Sequence, residues 1–223
     1  MSRGARRLSE EAEGEVSHEH RQSMSFVANA RMYAVSPDAE AAWRALLGHV
    51  AREAEVDLDY VPFPAPQPLE ALWTRPDLGC VFMCGYPIAL GIAPVTPIAA
   101  PIPAQAWAGG RAVYRSDLIV RADAPFRTLE DTFGHRAGWT VEHSHSGFNA
   151  FRHHLLRYVT PARPQLYAEM IGHLVTARAI LDAVVEGRID VGLPKSAHRS
   201  RMSYLPASIW ECRCQCLVIV WCC

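Results

Sequence analysis

The sequence predicts an α/β protein of two lobes joined by an extended segment. Three observations carry that expectation. From residue 25 onward, strand-like and helix-like stretches alternate at the spacing of βα units. The same order of elements returns after the Gly109-Gly110 break, although no sequence repeat underlies it. The chain has 223 residues, 50% of them hydrophobic and 20% charged, which suits a buried core and excludes disorder throughout.

Residues 1–24 are polar and charged and read as a flexible tail. They lack the apolar run of roughly 7–15 residues that a secretory signal needs, so the chain as it stands reads as cytoplasmic. The first lobe is expected over residues 25–112. Residues 25–35 are β-prone and end at Ser36-Pro37-Asp38, where Ser36 can cap a helix that has Pro37 at its first position. Trp43, Leu46, Leu47 and Val50 recur at helical spacing up to Glu53. Residues 56–61 form a second strand, and the proline-rich segment 62–68 leads into a short helix over 69–73. Residues 80–84 read as a buried strand entering the Gly85-Tyr86-Pro87 turn, and residues 98–103 as an extended apolar stretch.

The second lobe, with the crossover strand, is expected over residues 113–192. The alternation in 112–121 predicts one long strand. It is followed by a short helix at 128–132, a strand at 136–141, a helix opening at Ser146 and a strand near 165–167. A helix at 176–186 is closed by Gly187, and a strand follows at 188–191. Residues 193–223 change character: five of the seven cysteines fall between Cys212 and Cys223, and Lys195 is the one lysine against 21 arginines.

A formal net charge of −1 leaves no electrostatic footprint for nucleic acid. No window approaches the 18–20 or so apolar residues of a membrane span, so membrane insertion is not expected. Nucleophilic catalysis has little support, because the sequence lacks the Gly-x-Ser-x-Gly elbow, the phosphate-binding Gly-x-x-x-x-Gly-Lys loop and Gly-x-Gly-x-x-Gly. Cys80 and Cys84, on one face of a strand but roughly 13 Å apart, read as core thiols. His143, His145, His153 and His154 could offer imidazoles to a metal, but surface or packed histidines are the simpler account. The alternating Cys212, Cys214 and Cys216 likewise read as an altered terminus, so no metal and no cofactor are expected.

The strongest local signal is Glu142-His143-Ser144-His145-Ser146-Gly147, between a predicted strand and a predicted helix. Backbone N–H groups at a helix start, with hydroxyls beside them and a glycine permitting close approach, suit an anion. A bare N-cap serine is the alternative. Tyr33 and Tyr86, at strand ends, can wall a cleft, and Arg31 can offset ligand charge.

Taken in order, the segments beginning at Ser25, Phe82, Ser116, Ser144 and Glu186 resemble the phosphate/phosphite/phosphonate-binding proteins of ABC importers over residues 25–192. Those proteins have the type II periplasmic-binding-protein fold. The resemblance implies two α/β lobes that close on a small oxyanion without chemistry and deliver it to an ABC permease. It carries oxyanion contacts to Ser144, His145, Ser146 and Gly147, aromatic contacts to Tyr33 and Tyr86, and an amine contact to Asp190, which otherwise only ends a strand.

The sequence departs from the family in three ways. His145 stands where the family often has Thr, and once protonated would strengthen anion binding. Gly172-His173 is farther from the late helix than in the family and lacks the following Glu, so a plain oxyanion fits as well as an aminophosphonate. The ending shows no return crossover, so the fold is expected to be incomplete at the C-terminus, with the apolar run 217–221 exposed at a strand edge. Two other readings stay open: a cytoplasmic small-anion sensor on the same fold, and an enzyme of the pyrimidine-precursor-synthase type.

Overall fold

The computed structural model describes residues 25–113, 116–193, 202–204 and 217–221. The chain begins with strand β1 (Phe26–Asn29), helix α1 (Pro37–Glu53) and strand β2 (Leu58–Tyr60). Helix α2 (Leu69–Trp73), strand β3 (Leu78–Cys84), helix α3 (Gly85–Ala89) and strand β4 (Thr96–Ala99) follow. After the connecting segment come β5 (Ile119–Arg121), β6 (Arg136–Gly138), α4 (Ala150–Leu155), β7 (Glu169–Ile171), α5 (Ala177–Val185) and β8 (Val191–Gly192). Strands β9 (Met202–Tyr204) and β10 (Leu217–Trp221) complete the described elements.

The first sheet has the order β2-β1-β3-β10-β4, with β1 parallel to both of its neighbours. All seven residues of β3 are buried, as befits a strand covered on both faces. Leu47 of α1 packs with Ala28, Cys80 and Phe82 on one face. Leu72 and Trp73 of α2 pack with Val27, Leu78, Val81 and Met83 on the other. Ser36 caps α1 as expected, its hydroxyl accepting from the Ala39 N–H at 3.2 Å.

The second sheet has the order β7-β6-β8-β5-β9. Phe151 and Leu155 of α4 cover Val120, Ala137 and Val191 on one face. Ile180, Ala183 and Val184 of α5 cover Ile119 and Ile189 on the other. Gly187, at φ 70°, ends α5 in the left-handed conformation that a helix terminus favours and most side chains avoid.

Three expectations change. Of the strand foreseen over 112–121, the described residues form a strand at Ile119–Arg121, with a separate bridge at Ser116. The strand foreseen near 165–167 lies at Glu169–Ile171; Leu166 and Tyr167 are buried with Phe151 and Leu155, so their apolar signal reports core packing. The apolar run 217–221 is no exposed edge. It runs antiparallel between β3 and β4, with Leu217 opposite Cys84 and Ile219 opposite both Phe82 and Ala99. Backbone pairing along β3 outweighs the unusual composition around it. Strand β9 pairs with β5 in the second sheet, so the chain crosses back from the second sheet to the first. Residues 1–24 and the five tail cysteines lie outside the described residues.

Candidate ligand-binding site

A cleft of about 1300 Å³ opens between the two sheets. Its lining includes Asn29 at the end of β1, Cys84 at the end of β3, Thr140 beyond β6 and Leu193 beyond β8. Ligands of open α/β sheets bind at these carboxyl ends. The first wall is the turn after β1, the proline-rich segment 62–68 and α2; the second is the stretch from Thr140 to Gly147 with α5.

Ser144, Ser146 and Gly147 line this cleft at the start of a helical stretch, a π-helical turn over His145–Asn149 that continues into α4. Ser144 Oγ accepts from the Gly147 N–H at 3.0 Å, which leaves the serine O–H able to donate to a ligand oxygen. Two bonds hold the turn from outside: Thr140 N–H donates to the Gly147 carbonyl, and buried Ser116 donates through Oγ to the Ser146 carbonyl at 3.2 Å. Gly147 is required by contact, since a Cβ there would strike Thr140 Oγ1 and come within 2.9 Å of Ser144 Oγ.

From the first wall, Tyr33 lines the cleft and packs edge-on against Trp43 and Phe82. Arg31 lines it too, donating to the Gln67 carbonyl and lying over the Phe63 ring at 5.6 Å. A polar contact spans the cleft: His143 Nδ1 is 2.8 Å from Glu70 Oε1. Burial pushes the His143 pKa down against the opposing pull of Glu70, so the neutral ring donates Nδ1–H to the carboxylate. The Trp73 ring meets His143 edge-on at 5.1 Å. Trp73 Nε1 and His143 Nε2 are both buried and have no hydrogen-bond partner among the described residues.

Three residues expected at the site are not among those lining the cleft. Tyr86, in the first turn of α3, packs beside His145 with ring centroids 6.4 Å apart. His145 turns to Tyr86 and Asn149, and burial lowers its pKa, so the protonation that would strengthen anion binding needs a more acidic pH. Asp190 precedes β8, at the opposite strand end from the cleft. It accepts from the Arg136 guanidinium at 3.0 Å twice and from the Arg136 backbone N–H at 2.9 Å. That pairing holds its carboxyl below the usual range, and it joins β6 to β8 at the strand end away from the cleft.

Anion binding is accordingly expected to be insensitive to pH near neutrality. For an alkyl sulfonate, which stays a monoanion, the affinity should change less than about twofold from pH 8 to pH 6.5, because both histidines titrate below the ordinary value of about 6.5. Calorimetry across that range checks this, and a severalfold rise on acidification would show a protonated histidine, His143 or His145, acting on the ligand.

The sequence reading missed Glu70, Trp73, Thr140 and α5 as walls of the cleft. The proline-rich run before α2 was the available signal, since seven residues without regular pairing must lie on a surface. Cys80 and Cys84 are buried, as expected of core thiols, and burial pushes Cys80 up to about 11. Among the described residues no three His, Cys, Asp or Glu side chains gather as metal ligands, and no helix is long and apolar enough to cross a membrane.

Solved structures of two-lobed binding proteins match the chain in fold. A binding protein component of an ABC phosphonate transporter from Pseudomonas aeruginosa matches at TM-score 0.63 and 14% identity, covering 88% of this chain and 68% of that one. PhnD1 from Prochlorococcus marinus, solved with methylphosphonate, matches at TM-score 0.66 and 13% identity, covering 89% and 76%. The periplasmic aliphatic sulphonate binding protein SsuA from Escherichia coli matches at TM-score 0.56 and 15% identity, covering 89% and 61%. No curated protein sequence matches the chain.

The family model described as "ABC transporter, phosphonate, periplasmic substrate-binding protein" matches residues 33–211. The chain belongs to this family of solute-binding proteins. The matched span takes in residues 193–211, part of the segment that composition alone had set apart. The family is periplasmic, which leaves the cytoplasmic reading without support.

Proposed function

We propose that this protein captures a phosphonate- or sulfonate-type anion in the interlobe cleft and hands it to an ABC permease in the periplasm, with no bond made or broken. The observation that carries the site is the helix start lined by Ser144, Ser146 and Gly147, open to the cleft in a phosphonate-binding family fold. In this reading the two hydroxyls and the first helical N–H groups hold the oxyanion, and Gly147 lets its oxygens approach the backbone. Tyr33 and Arg31 complete the pocket from the opposite wall, Arg31 offsetting part of the charge. Tyr86 and His145 support the turn from behind.

Replacing Ser144 and Ser146 together by Ala should weaken methylphosphonate binding by roughly 1–3 kcal/mol, since donors to a charged group are lost. Isothermal titration calorimetry measures this directly. Wild-type affinity in the double variant would remove the helix start from the site.

A further inference from the structure

The formal charge lining the cleft has the opposite sign to the one an anion site suggests. Among the described residues its walls carry two guanidiniums, Arg31 and Arg178, against four carboxylates, Glu40, Glu70, Glu142 and Asp182, a balance of −2 with His143 and His173 neutral. Both cations are already engaged. Arg178 Nε donates to both carboxylate oxygens of Asp182 at 2.9 Å. Arg31 donates to the Gln67 carbonyl; burial lowers its pKa, and the nearby Glu70 charge opposes that shift.

Glu70 is the carboxylate that geometry ties to the anion turn. Its Oε1 lies 2.8 Å from His143 Nδ1, on the residue next to Ser144. The Ser144 N–H donates to the Val141 carbonyl at 3.0 Å, so His143 and Ser144 belong to one tight turn. Burial lowers the His143 pKa while Glu70 and Glu142 both oppose it, which brings two negative charges to bear on this turn. Glu40 adds a third carboxylate from α1, accepting from Tyr60 Oη at 3.4 Å. The groups assigned to the oxyanion, by contrast, are hydroxyls and backbone N–H groups, which are neutral dipoles. They stabilise one negative charge at short range. The second charge of a dianion faces Glu70 and Glu142 as well, and like charges repel strongly where solvent and salt screen them poorly.

We propose that Glu70, with Glu142 beside the same turn, sets the charge state that the cleft accepts, so that the protein binds monoanions, namely sulfonates and phosphonates that keep one proton, and discriminates against dianions. The proposal rests on the assignment of Ser144, Ser146 and Gly147 as the anion end. It makes affinity follow the ionisation of the ligand. Each pH unit above a phosphonate's second pKa removes about tenfold of its monoanion, and the apparent affinity falls with it. A sulfonate has no second proton to lose, so its affinity stays flat over the same range.

Calorimetry with methylphosphonate and methanesulfonate from about pH 6.5 to about pH 8.5 tests this. Methylphosphonate should weaken by about fivefold or more across that range, while methanesulfonate changes less than about twofold. A protein group titrating there would move both ligands alike. Glu70→Gln keeps the side-chain length and removes the charge. At the alkaline end it should tighten methylphosphonate about tenfold and methanesulfonate about threefold, because the repulsion doubles with the charge of the ligand. Glu70→Asp keeps the charge and should keep the wild-type ratio between the two ligands. Equal methylphosphonate affinity at both ends of the range overturns the proposal. So does a Glu70→Gln variant that shifts both ligands by the same factor, or shifts neither, since Glu70 would then be only a contact between the lobes. Should Glu70→Gln fail to fold, Glu142→Gln provides the same comparison, with a change of the same sign expected and its absence counting against the proposal. Failure of both ligands to bind at the acidic end would overturn the anion site itself, an outcome distinct from a flat phosphonate series.

Discussion

Gly147→Ala is expected to abolish measurable oxyanion binding while the protein remains folded. The added methyl group has nowhere to go, because Thr140 Oγ1 and Ser144 Oγ already lie against that face of the glycine. Accommodating it means opening the turn, which breaks the Ser144 cap on the Gly147 N–H and moves both serines out of register. A displacement of about 1 Å is enough to lose a charged ligand held by several short directional bonds. Loss of the calorimetric signal, with the melting transition still cooperative, is the expected result. A second change, Thr140→Ala, should recover part of the binding, because it removes the atom that the new methyl group meets first. Wild-type affinity in Gly147→Ala alone would show that the turn does not hold the ligand.

Trp73→Ala should carry the largest stability effect. Trp73 is completely buried, packs with Val27, Leu72, Leu78 and Met83, and meets His143 across the cleft. Truncating such a ring costs about 3–5 kcal/mol through lost burial and the cavity left behind. Urea denaturation of the variant measures it. Trp73→Phe should cost much less, since it keeps most of the ring and removes an indole N–H that is buried without a partner among the described residues. If the two variants were equally destabilised, the indole N–H would have to be contributing more than packing does.

Much of the fold was legible because its elements carry local signals. The Ser36-Pro37 start of α1, the amphipathic spacing of Leu47 and its neighbours, and Gly187 at the end of α5 act within a few residues of sequence. The turn proposed to hold the anion was legible as a helix start for the same reason, as a Ser-x-Ser-Gly sequence between a strand and a helix. What escaped depends on distant partners. The pairing of Asp190 with Arg136 joins residues 54 apart, and nothing near Asp190 announces it. The Glu70–His143 contact joins two lobes whose relative placement no local pattern encodes. Tyr86 and His145 were placed by family analogy, and the direction of a side chain after a short turn is set by packing. The apolar run 217–221 misled, because its composition suggested an exposed edge, whereas it pairs between β3 and β4, strands far upstream in sequence.

The position of β10 sets an order of events in folding. Every strand of the second sheet is encoded between residues 119 and 204, whereas the first sheet needs residues 26–29 and 217–221 in contact through β3. A chain emerging in sequence can therefore assemble the second lobe while the first still presents an open gap between β3 and β4. Such long-range closure is slow and leaves hydrophobic strand edges exposed while it waits. The first lobe, which begins the sequence, is therefore expected to be the last to close.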